Sequence, residues 1–115
     1  HLKEMCQASK KRAIINHSNV PYIDGAIELA RDGVIPGGSK KNHEFFKSFV
    51  KFSEDISIED QYILSDAQTS GGLLISVSNE KTESLIKELD KQNCISTNVI
   101  GKISNQDESS LIEIT

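Results

Sequence analysis

No apolar run in this 115-residue chain approaches the roughly 20 residues that cross a bilayer, which excludes a helical membrane span. Cysteine is scarce. Cys6 and Cys94 lie near opposite ends, with no C-x-x-C and no histidine at metal-ligand spacing beside either, so the pattern of a zinc site is missing. The two thiols read as reduced and packed among apolar neighbours, with one disulfide between them as the alternative. An excess of basic residues is also missing: 13 Lys and Arg stand against 17 Asp and Glu, a formal net charge of -4. That balance excludes a general nucleic-acid footprint and leaves Lys10, Lys11 and Arg12 as a small cluster, read as a solvated helix end. His1, His17 and His43 are scattered among polar residues and read as surface positions. No Walker loop, repeat, linker or low-complexity tract is present.

What is present fits an ordinary globular domain. The chain is 37% hydrophobic and 26% charged, and a chain of this size buries about two-thirds of its unfolded surface, enough for a core. It opens His1-Leu2-Lys3-Glu4-Met5-Cys6, without an initiator Met or a signal-like apolar stretch and with apolar residues already at helical spacing. This reads as a start inside a helix, hence a piece of a longer protein.

The pattern predicts a helix from Leu2 to Lys11 and a short strand through Ala13, Ile14 and Ile15. Asp24 is placed to cap a helix with Ile23, Ile27 and Ala30 on one face, and Gly33 to end it in a positive-φ turn. Ser39 or Asn42 is placed to cap the next helix, whose Phe45, Phe46, Phe49 and Val50 form an apolar face. With Phe52 these include all four phenylalanines, read as core. Ser57-Ile58-Glu59-Asp60 has the form of a capping box opening a short helix through Tyr62, Ile63 and Leu64. The unbroken run Leu73-Leu74-Ile75, continuing to Val77, predicts a strand covered on both faces. Asn79 is expected to cap an amphipathic helix with Leu85, Ile86 and Leu89 on its buried side, Glu80 and Glu83 early, and Lys91 near its end, an order that suits the helix dipole. Two strands, 97–103 and 111–114, follow, separated by a hairpin-like loop over 104–108. The expected class is one α+β domain, helices packed on a mixed sheet.

Two segments carry chemical promise: Pro36-Gly37-Gly38-Ser39-Lys40-Lys41-Asn42 and Asp66-Ala67-Gln68-Thr69-Ser70-Gly71-Gly72. Paired glycines let backbone N–H groups converge on an anion with no Cβ in the way, and the nearby hydroxyls and amides add donors. Phosphate binding is one reading. Tight structural turns are the other, because the second segment precedes a strand instead of following one.

The string Ser65-Asp66-Ala67-Gln68-Thr69-Ser70-Gly71-Gly72-Leu73-Leu74 resembles the DPQTSGGLL signature of the selenophosphate synthetase (selenide, water dikinase) family. His1-Leu2-Lys3-Glu4-Met5 is similar to its GHLxEM segment, and Val20-Pro21 with Gly25-Ala26-Ile27-Glu28-Leu29-Ala30 to its VPxxxGALELA stretch. Val34-Ile35-Pro36-Gly37-Gly38-Ser39 with Asn42 resembles its VxPGGTxxN turn, and Val99-Ile100-Gly101-Lys102-Ile103 its VIGxV strand. The matches fall in order along nearly the whole chain. Ala67 departs from the family's proline, which loosens that loop entry.

The resemblance implies the aminoimidazole ribonucleotide synthetase superfamily, with residues 1–115 as the C-terminal α/β-layered domain of a larger cytoplasmic enzyme. It further implies a parent that converts ATP, selenide and water to selenophosphate, AMP and phosphate with magnesium. The family's catalytic Cys or selenocysteine, its Lys and its magnesium-binding aspartates lie in an N-terminal ATP-binding domain outside this sequence. Cys6 and Cys94 match none of them. On this reading no catalytic residue and no metal ligand is expected here, ATP and Mg are held mainly by the N-terminal domain, and the isolated chain is inactive. The substrate-proximal candidates are Asp66, Gln68, Thr69, Ser70, Gly71 and Gly72, with Gly37, Gly38 and Asn42. The expected partner is the N-terminal domain within a homodimeric parent, with neither nucleic acid nor membrane involved. The alternatives are another superfamily enzyme, of thiamine monophosphate kinase or hydrogenase-maturation type, and a non-enzymatic binding or dimerisation module.

Overall fold

The computed structural model describes residues 1–68, 70–107 and 110–115. Helix α1 (Leu2–Ser9) leads into strand β1 (Lys11–Ile15) through Lys10, whose left-handed φ of 54° ends the helix two residues before the predicted limit. The backbone N–H of Lys10 closes that end on the carbonyls of Cys6 and Gln7. After a short 3-10 turn (His17–Asn19) come α2 (Ala26–Arg31) and α3 (Gly37–Phe46), a second 3-10 turn (Lys47–Phe49) and β2 (Val50–Phe52). Helices α4 (Ile58–Ile63) and α5 (Asn79–Lys91) and strands β3 (Gly101–Asn105) and β4 (Ile112–Ile114) complete the order. The α+β class read from the sequence is the class observed.

The sheet has the order β2-β4-β1-β3. β1 pairs antiparallel with β3 and parallel with β4, which in turn pairs parallel with β2. The register sets Ala13 beside Ile112 and Ile15 beside Ile114, so one face of the two central strands presents four apolar side chains. With Cys6 and Ile56 these form the buried core, and Leu2, Val20, Val50, Phe52, Leu64, Ile100 and Leu111 pack around it. Cys6 is free and buried, with its thiol pKa pushed up by that burial, and Cys94 is free and exposed.

Several local expectations need correction. The connection from β3 to β4 is no hairpin, because β1 lies between them; Ser104 and Asn105 belong to β3, while Glu108 lies outside the described residues. Pairing of β3 begins only at Gly101 because its partner β1 ends at Ile15. Residues 73–77 form no strand, and Leu73, Leu74, Ile75 and Val77 are exposed. An apolar run says that burial is favourable; a strand also needs a neighbouring backbone, and among the described residues none pairs with 73–77. Arg12 is no solvated helix end: it sits in β1, 8% exposed, between Asp107 and Glu113.

The helix starts also shift. Gly25, with φ 84°, precedes α2 where Asp24 was expected to cap it, which leaves Ile23 outside the helix and exposed. Gly33 does adopt a positive φ, 82°. Pro36 precedes α3, so Ser39 and Asn42 lie inside that helix and cap nothing. Ser78, not Asn79, precedes α5, and Leu85, Ile86 and Leu89 are half-buried as its amphipathic pattern requires. The phenylalanines do not share one face. Phe45 is exposed beside Lys3, whose Nζ lies 4.4 Å from its ring and 4.6 Å from that of Phe49, while Phe49 and Phe52 belong to the next two elements. The Ser57 half of the capping box is present, Ser57 Oγ accepting from the Asp60 amide at 3.1 Å, while the Asp60 carboxylate accepts from the Ser57 hydroxyl at 2.6 Å.

Asp60 has a second consequence. Burial, then the nearby Asp60 carboxylate, pushes the Tyr22 phenol up to about 12. A phenol whose folded pKa is raised stabilises the fold fully below the unfolded value of about 10, and that contribution fades as the pH rises through about 12. An ultraviolet titration is expected to show one late phenolate step near pH 12 that Tyr22→Phe removes. Complete tyrosine ionisation centred near pH 10 in the native protein refutes this placement of Tyr22.

Candidate functional site

The two glycine-rich segments, 27 residues apart at Ser39 and Asp66, meet in space. The first opens α3; the second leaves the end of α4. Three side chains on one face of α3, at i, i+3 and i+4, tie that helix to the second segment, to the residue before it and to α4. Ser39, 1% exposed, donates from Oγ to Asp66 Oδ1 at 2.8 Å. Asn42 Nδ2 donates to the Ser65 carbonyl at 3.1 Å. His43, one turn on from Ser39, meets Gln61 of α4 through Nε2, 2.9 Å from Oε1.

The backbones are close here for a reason that glycine supplies once. A Cβ on Gly38 would stand 3.1 Å from Ala67 Cβ, tighter than ordinary contact, so the first turn of α3 lies against the loop because position 38 has no side chain. Gly37 and Gly72 face open space, and a Cβ on Gly71 would meet only the flexible end of Gln68. Behind this junction lies a cavity of about 200 Å³, apolar except where Ser39 and Asp66 close it, with Leu29, Ala30, Val34 and Ile35 among its walls.

Of the residues singled out from the sequence, Gly38, Asn42 and Asp66 converge at this junction. Asp66, Gln68, Ser70, Gly71, Gly72, Gly37 and Asn42 are exposed and accessible to a partner or a ligand. Thr69 lies outside the described residues. Ser39, His43 and Gln61 were not among the site candidates. The spacing of Ser39, Asn42 and His43 was the available signal, but it becomes legible only once α3 is known to start at Gly37. The histidine reading is corrected accordingly. His43 is 5% exposed among the rings of Phe46, Phe52 and Tyr62, and His17 is half-buried with Nε2 3.8 Å from Asp60 Oδ1.

Magnesium, implied by the family resemblance, finds no fitting donor set among the described residues. Among the described residues no three His, Cys, Asp or Glu gather as a metal site, and one oxygen of the Asp66 carboxylate is taken up by Ser39. No helix among the described residues is long and apolar enough to cross a membrane.

Residues 1–114 match the family model described as AIR synthase related protein, C-terminal domain. The chain is 42% identical over 103 residues to the selenide, water dikinase of Clostridioides difficile (strain 630), covering 90% of this chain and 30% of that protein. It is 39% identical over 110 residues to the selenide, water dikinase of Caldanaerobacter subterraneus subsp. tengcongensis, covering 94% of this chain and 31% of the relative. With that of Haemophilus ducreyi it shares 40% identity over 115 residues, 99% of this chain and 32% of the relative. The chain thus spans about a third of the length of these relatives. A match over nearly every residue, on a mixed sheet flanked by helices, places the chain in the family of AIR synthase related C-terminal domains.

Proposed function

We propose that this chain is the C-terminal domain of a selenide, water dikinase, an enzyme converting ATP, selenide and water to selenophosphate, AMP and phosphate. The observation that carries the reading is the junction of the two glycine-rich segments: Ser39 and Asn42 of α3 hold Asp66 and Ser65 at the root of the loop over 66–72. The relatives' names supply the reaction class. In this reading the partner of the exposed loop is an N-terminal domain that binds ATP, within a homodimeric cytoplasmic parent. Magnesium, where bound, neutralises phosphate charge, and this chain contributes no ligand to it.

The loop acts as a wall over the reacting phosphates. Asp66 Oδ1 is held by Ser39, so its carboxylate is turned toward α3, and the donors left for an anion are the backbone N–H groups of the exposed stretch Ser70-Gly71-Gly72 and the Ser70 hydroxyl. A wall of this kind excludes water, which a phosphorylated intermediate requires if it is to transfer to selenide instead of hydrolysing.

The test is selenide-dependent AMP formation by the full-length enzyme. Thr69→Ala and Ser70→Ala are expected to lower the rate by roughly tenfold to a hundredfold, the scale of a misplaced group next to a reacting centre. Wild-type rates in both variants reject the wall. The 115-residue chain alone is expected to turn over no ATP, and robust hydrolysis by the pure chain rejects this division of labour.

A further inference from the structure

His43 is the most deeply buried titratable side chain near the loop and has no part in the function proposed above. Its hydrogen-bonding role is set by its neighbour. The Gln61 amide NH₂ donates to the Ile56 carbonyl at 3.2 Å, which turns Gln61 Oε1 toward His43. An amide oxygen only accepts, so at 2.9 Å His43 must donate, and the proton sits on Nε2. Nδ1 is buried with no hydrogen-bond partner among the described residues. That ring is wedged by Tyr62 at 5.2 Å and by Phe46 and Phe52 at 6.0 Å, centroid to centroid, so it cannot swing away from Gln61 without disturbing three elements.

The bond continues into the loop. The backbone carbonyl of Gln61 accepts from Ser65 Oγ, Ser65 is 4% exposed, and the Ser65 backbone carbonyl accepts from Asn42. Asp66 follows, held by Ser39. Helices α3 and α4 are therefore joined on this side by directional bonds, His43 to Gln61, Asn42 to Ser65 and Ser39 to Asp66. Each of these bonds fixes a donor–acceptor distance and a direction together, which apolar contacts do not. A polar seam of this kind sets the axial register of α4, and with it the point from which residues 66–72 depart.

We propose that His43, through Gln61, is a positioning residue for the loop over 66–72. The link to catalysis rests on the reading of that loop as a wall at the active site; the link to loop geometry does not. Two measurements keep these separate. In this chain, His43→Leu is expected to speed amide exchange at the root of the loop, at Leu64, Ser65 and Asp66, whose N–H groups bond the carbonyls of Asp60, Tyr62 and Ile63, by roughly tenfold, the effect of losing one buried hydrogen bond, with β1 and β4 amides unchanged. His43→Gln, which keeps a donor near the position of Nε2, is expected to restore slow exchange. In the full-length enzyme His43→Leu is expected to lower kcat about tenfold with KM for ATP within about twofold, again rescued by His43→Gln.

Wild-type exchange at the root of the loop in His43→Leu overturns the proposal. Should that variant fail to fold, Gln61→Met removes the acceptor while sparing the ring stack, and it carries the same expectations and the same refutation. Faster exchange at the loop root with unchanged kcat upholds the positioning role and rejects the wall.

Discussion

Gly101→Ala unpicks the sheet at its antiparallel seam. A Cβ at this position would stand 2.2 Å from the Ile14 carbonyl oxygen and 2.9 Å from Ile15 Cα, both on β1. Neither can move aside, because β1 is the central strand: its other edge is held by β4 in the register Ala13–Ile112 and Ile15–Ile114 that builds the core. The strain has to be relieved on the β3 side, by breaking the pairs Ile15–Gly101 and Ile14–Lys102. The expected loss is about 3 kcal/mol or more, at the upper end for overpacking because backbone is met instead of a side-chain tip. A domain stabilised by about 5–15 kcal/mol loses a large part of its margin that way. Urea denaturation followed by circular dichroism reads the effect as a lowered midpoint, and Gly72→Ala, which meets nothing within 4 Å, serves as the control with a change under about 0.5 kcal/mol. Equal midpoints for the two variants would contradict the close approach of β1 and β3.

Gly101 also shows where a sequence stops being informative. It was legible as part of the segment Val99-Ile100-Gly101-Lys102-Ile103, and a strand there was expected. That its missing Cβ makes room for the β1 backbone is a tertiary fact with no local signature. The helices were legible wherever a local rule operated alone: the Ser57 cap on the Asp60 amide, the amphipathic face of α5 and the positive-φ stop at Gly33 all stand as read. Expectations failed where two rules competed. Proline before two glycines begins α3 earlier than either side-chain cap would, and a shift of three residues from the Ser39 cap turned Ser39 into the buried donor to Asp66. The run 73–77 had the composition of a covered strand, but composition does not supply a ladder partner. At the candidate site the segments were visible as glycine-rich strings, whereas their meeting through Ser39, Asn42 and His43 depends on how α3 lies against α4, which no spacing along the chain encodes.

Arg12 illustrates the same limit energetically and carries the second large effect. Within Lys10-Lys11-Arg12 the three cations look alike, yet strand alternation sends Arg12 alone into a site where its side chain is 10% exposed. Nη2 lies 2.6 Å from Glu113 Oε2 on the neighbouring strand β4, and Nη1 lies 2.9 Å from Asp107 Oδ2 beyond the end of β3. One guanidinium thus bridges the chain on both sides of β1. The two arms are unequal: the Asp107 side chain is 56% exposed and screened by water, whereas that of Glu113 is 30% exposed. Arg12→Ala is expected to cost about 3 kcal/mol, since it removes the stem packing as well as both arms of the bridge. Arg12→Met loses the bridge but keeps the apolar stem and is expected to cost about 2 kcal/mol, the difference from Arg12→Ala being the packing of the stem. Glu113→Gln is then expected to be the more damaging of the two neutralisations, ahead of Asp107→Asn, and high salt to weaken the Asp107 arm first. Denaturant midpoints for the four variants at low and high ionic strength give the order directly. Equal losses from Arg12→Met and Arg12→Ala would show that charge alone, without the packing of the stem, holds β3, β1 and β4 together at this point.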